Sequence, residues 1–303
     1  MSESVAQSVR ARLLNIAHER REDYNLLLVR YGIERLLYRL TQTEYANRFV
    51  LKGATLFMLW MGQSHRPTQD LDLLVFGSID DEELNRIFHN LCRIGVDDDG
   101  IIFDPASVRI NEIREGEIYH GKRIGIRGYL GNARITVHVD IGFGDSIVPE
   151  PKKKVYPVLL DFPAPSIRIY PRETVVAEKL DAIIVLGLRN SRMKDYFDLW
   201  TLALNFDFDG GILKSAISAT LERRSRALPI SLPVGLLDEF AGDPTKQTQW
   251  KAFLNRSVPE KAEPELAVVV NTLRLFLGPV ILAIGANISF SEQWQAANQA
   301  WIS

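Results

Sequence analysis

The sequence predicts an α+β fold: a mixed sheet with flanking helices over residues 1–165, then an all-helical domain over residues 166–303. Three observations predict it. Residues 8–40 place apolar side chains at helical spacing (Leu13, Ile16, Leu27, Leu28, Tyr31, Leu36, Leu37, Leu40) with arginines and glutamate on the other faces, which reads as two helices. Between about residues 101 and 169 the period changes to two. After Pro171 the pattern becomes almost wholly helical.

Taken in order, a basic-apolar segment, Arg48 to Lys52, leads into Gly53-Ala54-Thr55, and an apolar helix follows over residues 56–61. A turn at Arg66-Pro67-Thr68 precedes a strand that begins Asp70-Leu71-Asp72. Residues 80–93 form a helix with acidic residues at its start, where the helix dipole favours them. Strands follow over residues 108–113, 123–127 and 135–141, with Gly131-Asn132 as a hairpin turn between the last two. The Pro-rich, basic stretch 152–165 marks the domain boundary. Helices are expected over 173–188, 194–204, 210–223, around Trp250, and over 265–276.

Composition narrows the function. With 36 Lys+Arg against 38 Asp+Glu the formal net charge is -2, so any nucleic acid must bind a local basic patch. The single cysteine, Cys92, excludes an intramolecular disulfide and any Cys-cluster zinc site. The N-terminus reads as an amphipathic helix, not a secretory signal, and the apolar run 275–286 is too short to span a bilayer. A cytoplasmic protein with no membrane partner is expected. No Walker-type loop occurs, and the five histidines show no metal-ligand spacing.

The chemistry-bearing signal is acidic. In a strand, Asp70 and Asp72 project from one face while Leu71 and Leu73 project from the other. Two anions side by side need a neutralising cation, and hard oxygen donors suit Mg²⁺ or Mn²⁺ with substrate phosphates; two solvated aspartates at a strand end are the plain alternative. Asp140 is offered on the polar face of another strand, beside Thr136 and His138, as a third metal ligand. The glycine turn at Gly53 and Thr55 precedes a helix, where backbone N–H groups approach phosphates. Lys179 rises from a helical stripe of Val175, Val176, Ala182, Ile183 and Leu186, with Glu178 and Asp181 on the opposite face. A lysine so placed is costly without an anion, unless it snorkels out. Asp195 and Asp198 follow, three residues apart on the next helix. The runs Lys152-Lys153-Lys154 and Arg223-Arg224…Arg226 are candidate RNA-backbone contacts, or simply solvated charge.

The segment FVLKGATLFMLW…RPTQDLDLL resembles the AbiEii/AbiGii-type toxins of the polymerase β-like nucleotidyltransferase superfamily, whose motif is a Gly-Gly or Gly-Ser turn, a helix and a D-x-D strand. A second block, ETVVAEKLDAIIVLGLRNSRMKDYFDLW, matches in the expected order. Ala54 departs from the pattern, so a side-chain hydroxyl at the turn falls to Thr55. The resemblance implies a polymerase β-like nucleotidyltransferase domain, NTP as substrate, and Asp70, Asp72, Lys179 and Asp195 as catalytic. It implies nucleotide contacts from Gly53, Thr55, Arg66, Thr68 and Lys179, with Asp198 supporting helix packing. It also implies a toxin of a type IV toxin–antitoxin pair with a cognate antitoxin, and the 3′ end of tRNA as acceptor. Transfer onto a protein hydroxyl, or a catalytically silent nucleotide- or partner-binding module, are the rivals.

Overall fold

The computed structural model describes residues 3–63, 66–115, 119–257 and 265–303. The chain divides into two compact units: Met1–Gly144 with Lys152–Ile169, and Asp145–Pro151 with Tyr170–Ser303. The division thus falls after Ile169 and beyond Pro165, because the last strand of the sheet lies past the Pro-rich stretch, which itself contributes a strand.

Among the described residues the first unit contains α1 (Glu3–Arg20), α2 (Tyr24–Thr41), β1 (Phe49–Lys52), α3 (Thr55–Met61), β2 (Asp70–Val75), α4 (Asp81–Arg93), β3 (Ile101–Glu115), β4 (Tyr119–Leu130), β5 (Ala133–Phe143), β6 (Lys152–Val155) and β7 (Ser166–Ile169). Asp23 and Asp80 cap α2 and α4 by accepting the Leu26 and Glu83 N–H groups. The strands build one seven-stranded mixed sheet, ordered β3-β4-β5-β2-β1-β7-β6. β2 runs parallel to β5 and antiparallel to β1.

The sheet's two faces differ as the alternation predicts. Leu71, Leu73, Ile124, Ile126, Val137, Val139 and Ile141 are all buried, whereas Asp70, Asp72, His138 and Asp140 are partly open. α2 packs on the apolar face, and Gly32 comes so close that a Cβ there would meet Val137 at 3.0 Å. Phe88 of α4 meets Phe49 edge-on. Burying each large aliphatic side chain is worth about 1.5–3 kcal/mol, so a one-residue slip of β2 or β5 would be doubly costly. It would expose the leucines or isoleucines and drive aspartates into the core. The apolar face therefore fixes where the carboxylates point.

The second unit holds α5 (Arg172–Leu186), α6 (Met193–Asn205), β8 (Phe208–Asp209), α7 (Gly210–Arg223), α8 (Asp238–Gly242), α9 (Pro244–Ser257), α10 (Leu266–Gly285), β9 (Gln293–Gln295) and β10 (Ala300–Ile302). It is helical but not all-helical, because β10-β9-β8 form a small sheet. Its aromatic side chains, Phe208, Trp294 and Trp301, pack around Phe276, and the Trp294 indole N–H donates to the Ala203 carbonyl at 2.8 Å. The apolar run 275–286 is the second half of α10, which carries Pro279 internally. At 20 residues and a mean hydropathy of 2.0, α10 is long and apolar enough to cross a bilayer. Of its most apolar stretch 61% is buried, as in a core helix.

Candidate active site

Strand register assembles the acidic face. Asp72 pairs with Lys52 on one side and Asp140 on the other, and Asp140 pairs with Arg123 of β4. Residues opposite one another on neighbouring strands share a face. Lys52, Asp72, Asp140 and Arg123 thus form a row across four strands, two anions between two cations. The next row holds Asp70, paired with His138, whose Nδ1 lies 3.6 Å from an Asp70 oxygen.

Arg123 ties the rows together. Its Nε and Nη2 donate to the two Asp140 oxygens at 2.7 Å each, and Nη2 also reaches Asp70 Oδ2 at 3.1 Å. Because one nitrogen holds both carboxylates, their oxygens lie no further apart than the sum of those two bonds. Hydrogen bonding to Asp140 raises the Arg123 pKa further above its usual value, against the opposing effect of burial. Among the described residues no three Asp, Glu, His or Cys side chains close into a metal cage, and Asp70 and Asp140 close on a guanidinium. The donor set still suits a hard divalent cation. Mg²⁺ commonly uses only one or two protein carboxylates and completes its shell with water and phosphate oxygens.

Gly53 is required twice over. Its φ is +76°, and a Cβ there would lie 2.0 Å from Asp72 Oδ2. The turn therefore brings backbone directly against the second aspartate. Thr55 is buried at the start of α3, and its hydroxyl donates to the Lys52 carbonyl at 3.2 Å, an internal bond within the turn. Arg66 and Thr68 lie on the segment entering β2, and the Arg66 guanidinium reaches the Pro67 carbonyl at 3.5 Å. His65 lies outside the described residues, as does the side chain of His120. Cys92 is half-buried and its thiol is pushed up to about 12 by burial and then by Asp104, so it offers no thiolate at neutral pH.

In the second unit Lys179 extends from α5 to α6, where its Nζ meets Asp195 at 2.8 Å and Asp198 at 2.7 Å. Arg192 holds the other Asp195 oxygen at 2.6 Å. Burial alone would raise the Asp195 pKa, but Lys179 and then Arg192 outweigh it and hold the carboxyl below its ordinary value. Both aspartates share the lysine, since residues three apart on a helix face one way.

Two sequence expectations around this cluster fail. Asp181 is not on a solvated face but fully buried, where it accepts from Arg224 at 2.7 Å. Arg224 also reaches Asp145 at 3.2 Å and Glu178 at 3.7 Å, and Arg226 faces Asp181 at 3.4 Å. Of the basic run, Arg224 and Arg226 are thus taken up by an internal ionic network, while Arg223 is exposed. Lys152, Lys153 and Lys154, by contrast, are exposed on the edge strand β6.

The family model for the nucleotidyl transferase AbiEii toxin of type IV toxin–antitoxin systems matches residues 35–272, which include every candidate residue above. The chain belongs to the AbiEii family. Membership in this toxin–antitoxin family implies a cognate antitoxin. The chain is also similar to the crystal structure of JHP933 from Helicobacter pylori, at 18% identity and a TM-score of 0.44, over 84% of this chain and 89% of that one. A second H. pylori crystal structure, described as a candidate nucleotidyltransferase, has 19% identity and a TM-score of 0.42, covering 84% and 92%. No curated protein matches the chain.

Sequence reasoning missed Lys52, Arg123 and Arg192. Arg123 was within reach: a two-residue turn at Gly131-Asn132 pairs Leu130 with Ala133 and, counting outward, Arg123 with Asp140. Lys52 had no such signal, since β1 pairs with β2 across an intervening helix.

Proposed function

We propose that this AbiEii-family protein is a cytoplasmic, divalent-cation-dependent nucleotidyltransferase that moves a nucleoside monophosphate from an NTP to an acceptor hydroxyl, with the 3′ end of tRNA as acceptor. The observation that carries the reading is the shared face of Asp70, Asp72 and Asp140 on adjacent parallel strands, with Gly53 against Asp72. The acceptor hydroxyl would pass its proton, by way of Asp140, to solvent as its oxygen bonds the α-phosphorus, while the bond from that phosphorus to the β-phosphate bridge breaks and pyrophosphate leaves. Mg²⁺ or Mn²⁺ held by Asp70 and Asp72 would supply charge neutralisation at the triphosphate. Asp140, freed from Arg123, would act as third oxygen ligand and orient the acceptor hydroxyl. Backbone at Gly53 would lie along the phosphates, close to the aspartate it contacts. Such catalysis is mainly positioning and electrostatics. The family pattern assigns Lys179 and Asp195 to the same reaction, and their mutual ion pair fixes the lysine amine in a defined place.

The test incubates the protein with each labelled NTP, Mg²⁺ and total RNA, beside Asp70→Asn. Label in RNA, reduced about a hundredfold or more by the substitution, supports the reading. Label on protein would redirect it to protein hydroxyls, and tight NTP binding without transfer would make the chain a binding module.

A further inference from the structure

The acidic face is already neutralised by the protein itself. Arg123 gives Asp140 a two-bond fork and gives Asp70 a third bond through the same Nη2. That nitrogen occupies the space between Asp70 Oδ2 and Asp140 Oδ2, oxygens that would hold a divalent cation. The two cannot coexist there. A divalent cation held by these oxygens would take the lone pairs that the N–H groups use and would set a double positive charge against a guanidinium. Nor is Arg123 a sealed structural bridge, because its side chain is 41% exposed and that of Asp70 38%. The open Asp70 bond is worth little net free energy, whereas the fork on Asp140, whose side chain is 20% exposed, is the larger cost of letting go. A fork-shaped guanidinium suits the task better than lysine, since it can close on two carboxylates at once.

We infer that Arg123 is a built-in counter-cation that competes with the divalent cation for Asp70 and Asp140, so that metal binding requires its release. The inference rests on the metal-ligand reading of the three aspartates. Releasing the Asp140 fork and the Asp70 bond together costs about 1.4 kcal/mol or more, roughly a tenfold loss in metal affinity.

The experiment titrates the full chain with Mn²⁺ alone, by calorimetry and by electron paramagnetic resonance, for the native protein and Arg123→Gln. Circular dichroism checks the fold. The expected result is a Kd about tenfold or more lower in Arg123→Gln. Equal or weaker binding by a folded Arg123→Gln, with measurable binding by the native chain, would overturn the inference and leave the metal site intact. Absence of Mn²⁺ binding in both proteins, even with NTP present, would overturn the metal reading and this inference together. A second readout needs no variant: the Arg123 Nε–H resonance should shift away from its carboxylate-bonded position on saturation with Mg²⁺. A resonance that stays in place at saturation would equally overturn the competition.

Discussion

Gly53 shows how a single missing carbon shapes the candidate site. Alanine there must adopt a φ of +76° and place its Cβ on the Asp72 carboxylate. Gly62, at the C-terminal end of α3, has nearly the same φ, +73°, but a Cβ there meets no atom of the described residues within 4 Å. The pair forms an internal control. Gly62→Ala should cost about 1–2 kcal/mol of stability through backbone conformation alone and leave transfer activity intact. Gly53→Ala should cost at least as much and also depress activity about tenfold or more, because Asp72 must move. Thermal unfolding and the RNA-labelling assay read the two effects separately. Equal activities in the two variants would show that the close approach to Asp72 does not matter to the reaction. Thr55 belongs to a different logic, since its hydroxyl already bonds the Lys52 carbonyl and holds the turn from inside.

Among the elements, α7 ends in the residue on which much of the second unit's buried charge depends. Arg224 caps α7 and stands against Asp145, Glu178 and Asp181. Removing one partner of a buried ionic group strands the others in a poor solvent for charge, which costs about 3–5 kcal/mol. Arg224→Met should therefore lower the unfolding midpoint steeply, and Arg223→Met, at an exposed position beside it, far less; similar midpoints for the two would dissolve the network as a structural device. The amphipathic helices and the strand carrying Asp70 and Asp72 were legible because each has one buried face and one open face. β1 was not, because all four of its residues are buried and it shows no alternation. β8, β9 and β10, at two or three residues each, are too short for any period to register. In the site, Asp70, Asp72 and Asp140 were legible from alternation, while their partners depend on register between strands. Asp181 was misjudged because α5 buries residues on more than one side, and helical spacing on one stripe says nothing about the other.

At the scale of the whole molecule, a net charge of -2 conceals buried carboxylates whose neighbours leave their pKa values shifted in opposite directions. Glu34, in the first unit, is raised above its ordinary value of 4.5, chiefly by burial, although Arg30 and the Leu159 N–H pull the other way. Asp195, in the second, is buried too, but Lys179 and Arg192 hold it below 3.8. The linkage signs differ accordingly. The folded protein binds the Glu34 proton more tightly than the unfolded chain does, so that contribution is full below pH 4.5 and is lost as pH rises through the folded pKa. Asp195 contributes stability above pH 3.8 that is lost as pH falls through its folded pKa. Urea midpoints taken between about pH 3 and about pH 7 should then separate the two by variant. Asp195→Asn should flatten the acid limb while lowering stability at neutral pH, because Lys179 and Arg192 lose a charged partner. Glu34→Gln should flatten the decline above pH 4.5 and leave the acid limb as it was. An acid limb unchanged in Asp195→Asn would mean that the ion pairs around Lys179 do not carry the acid stability of their unit, and that other carboxylates set it.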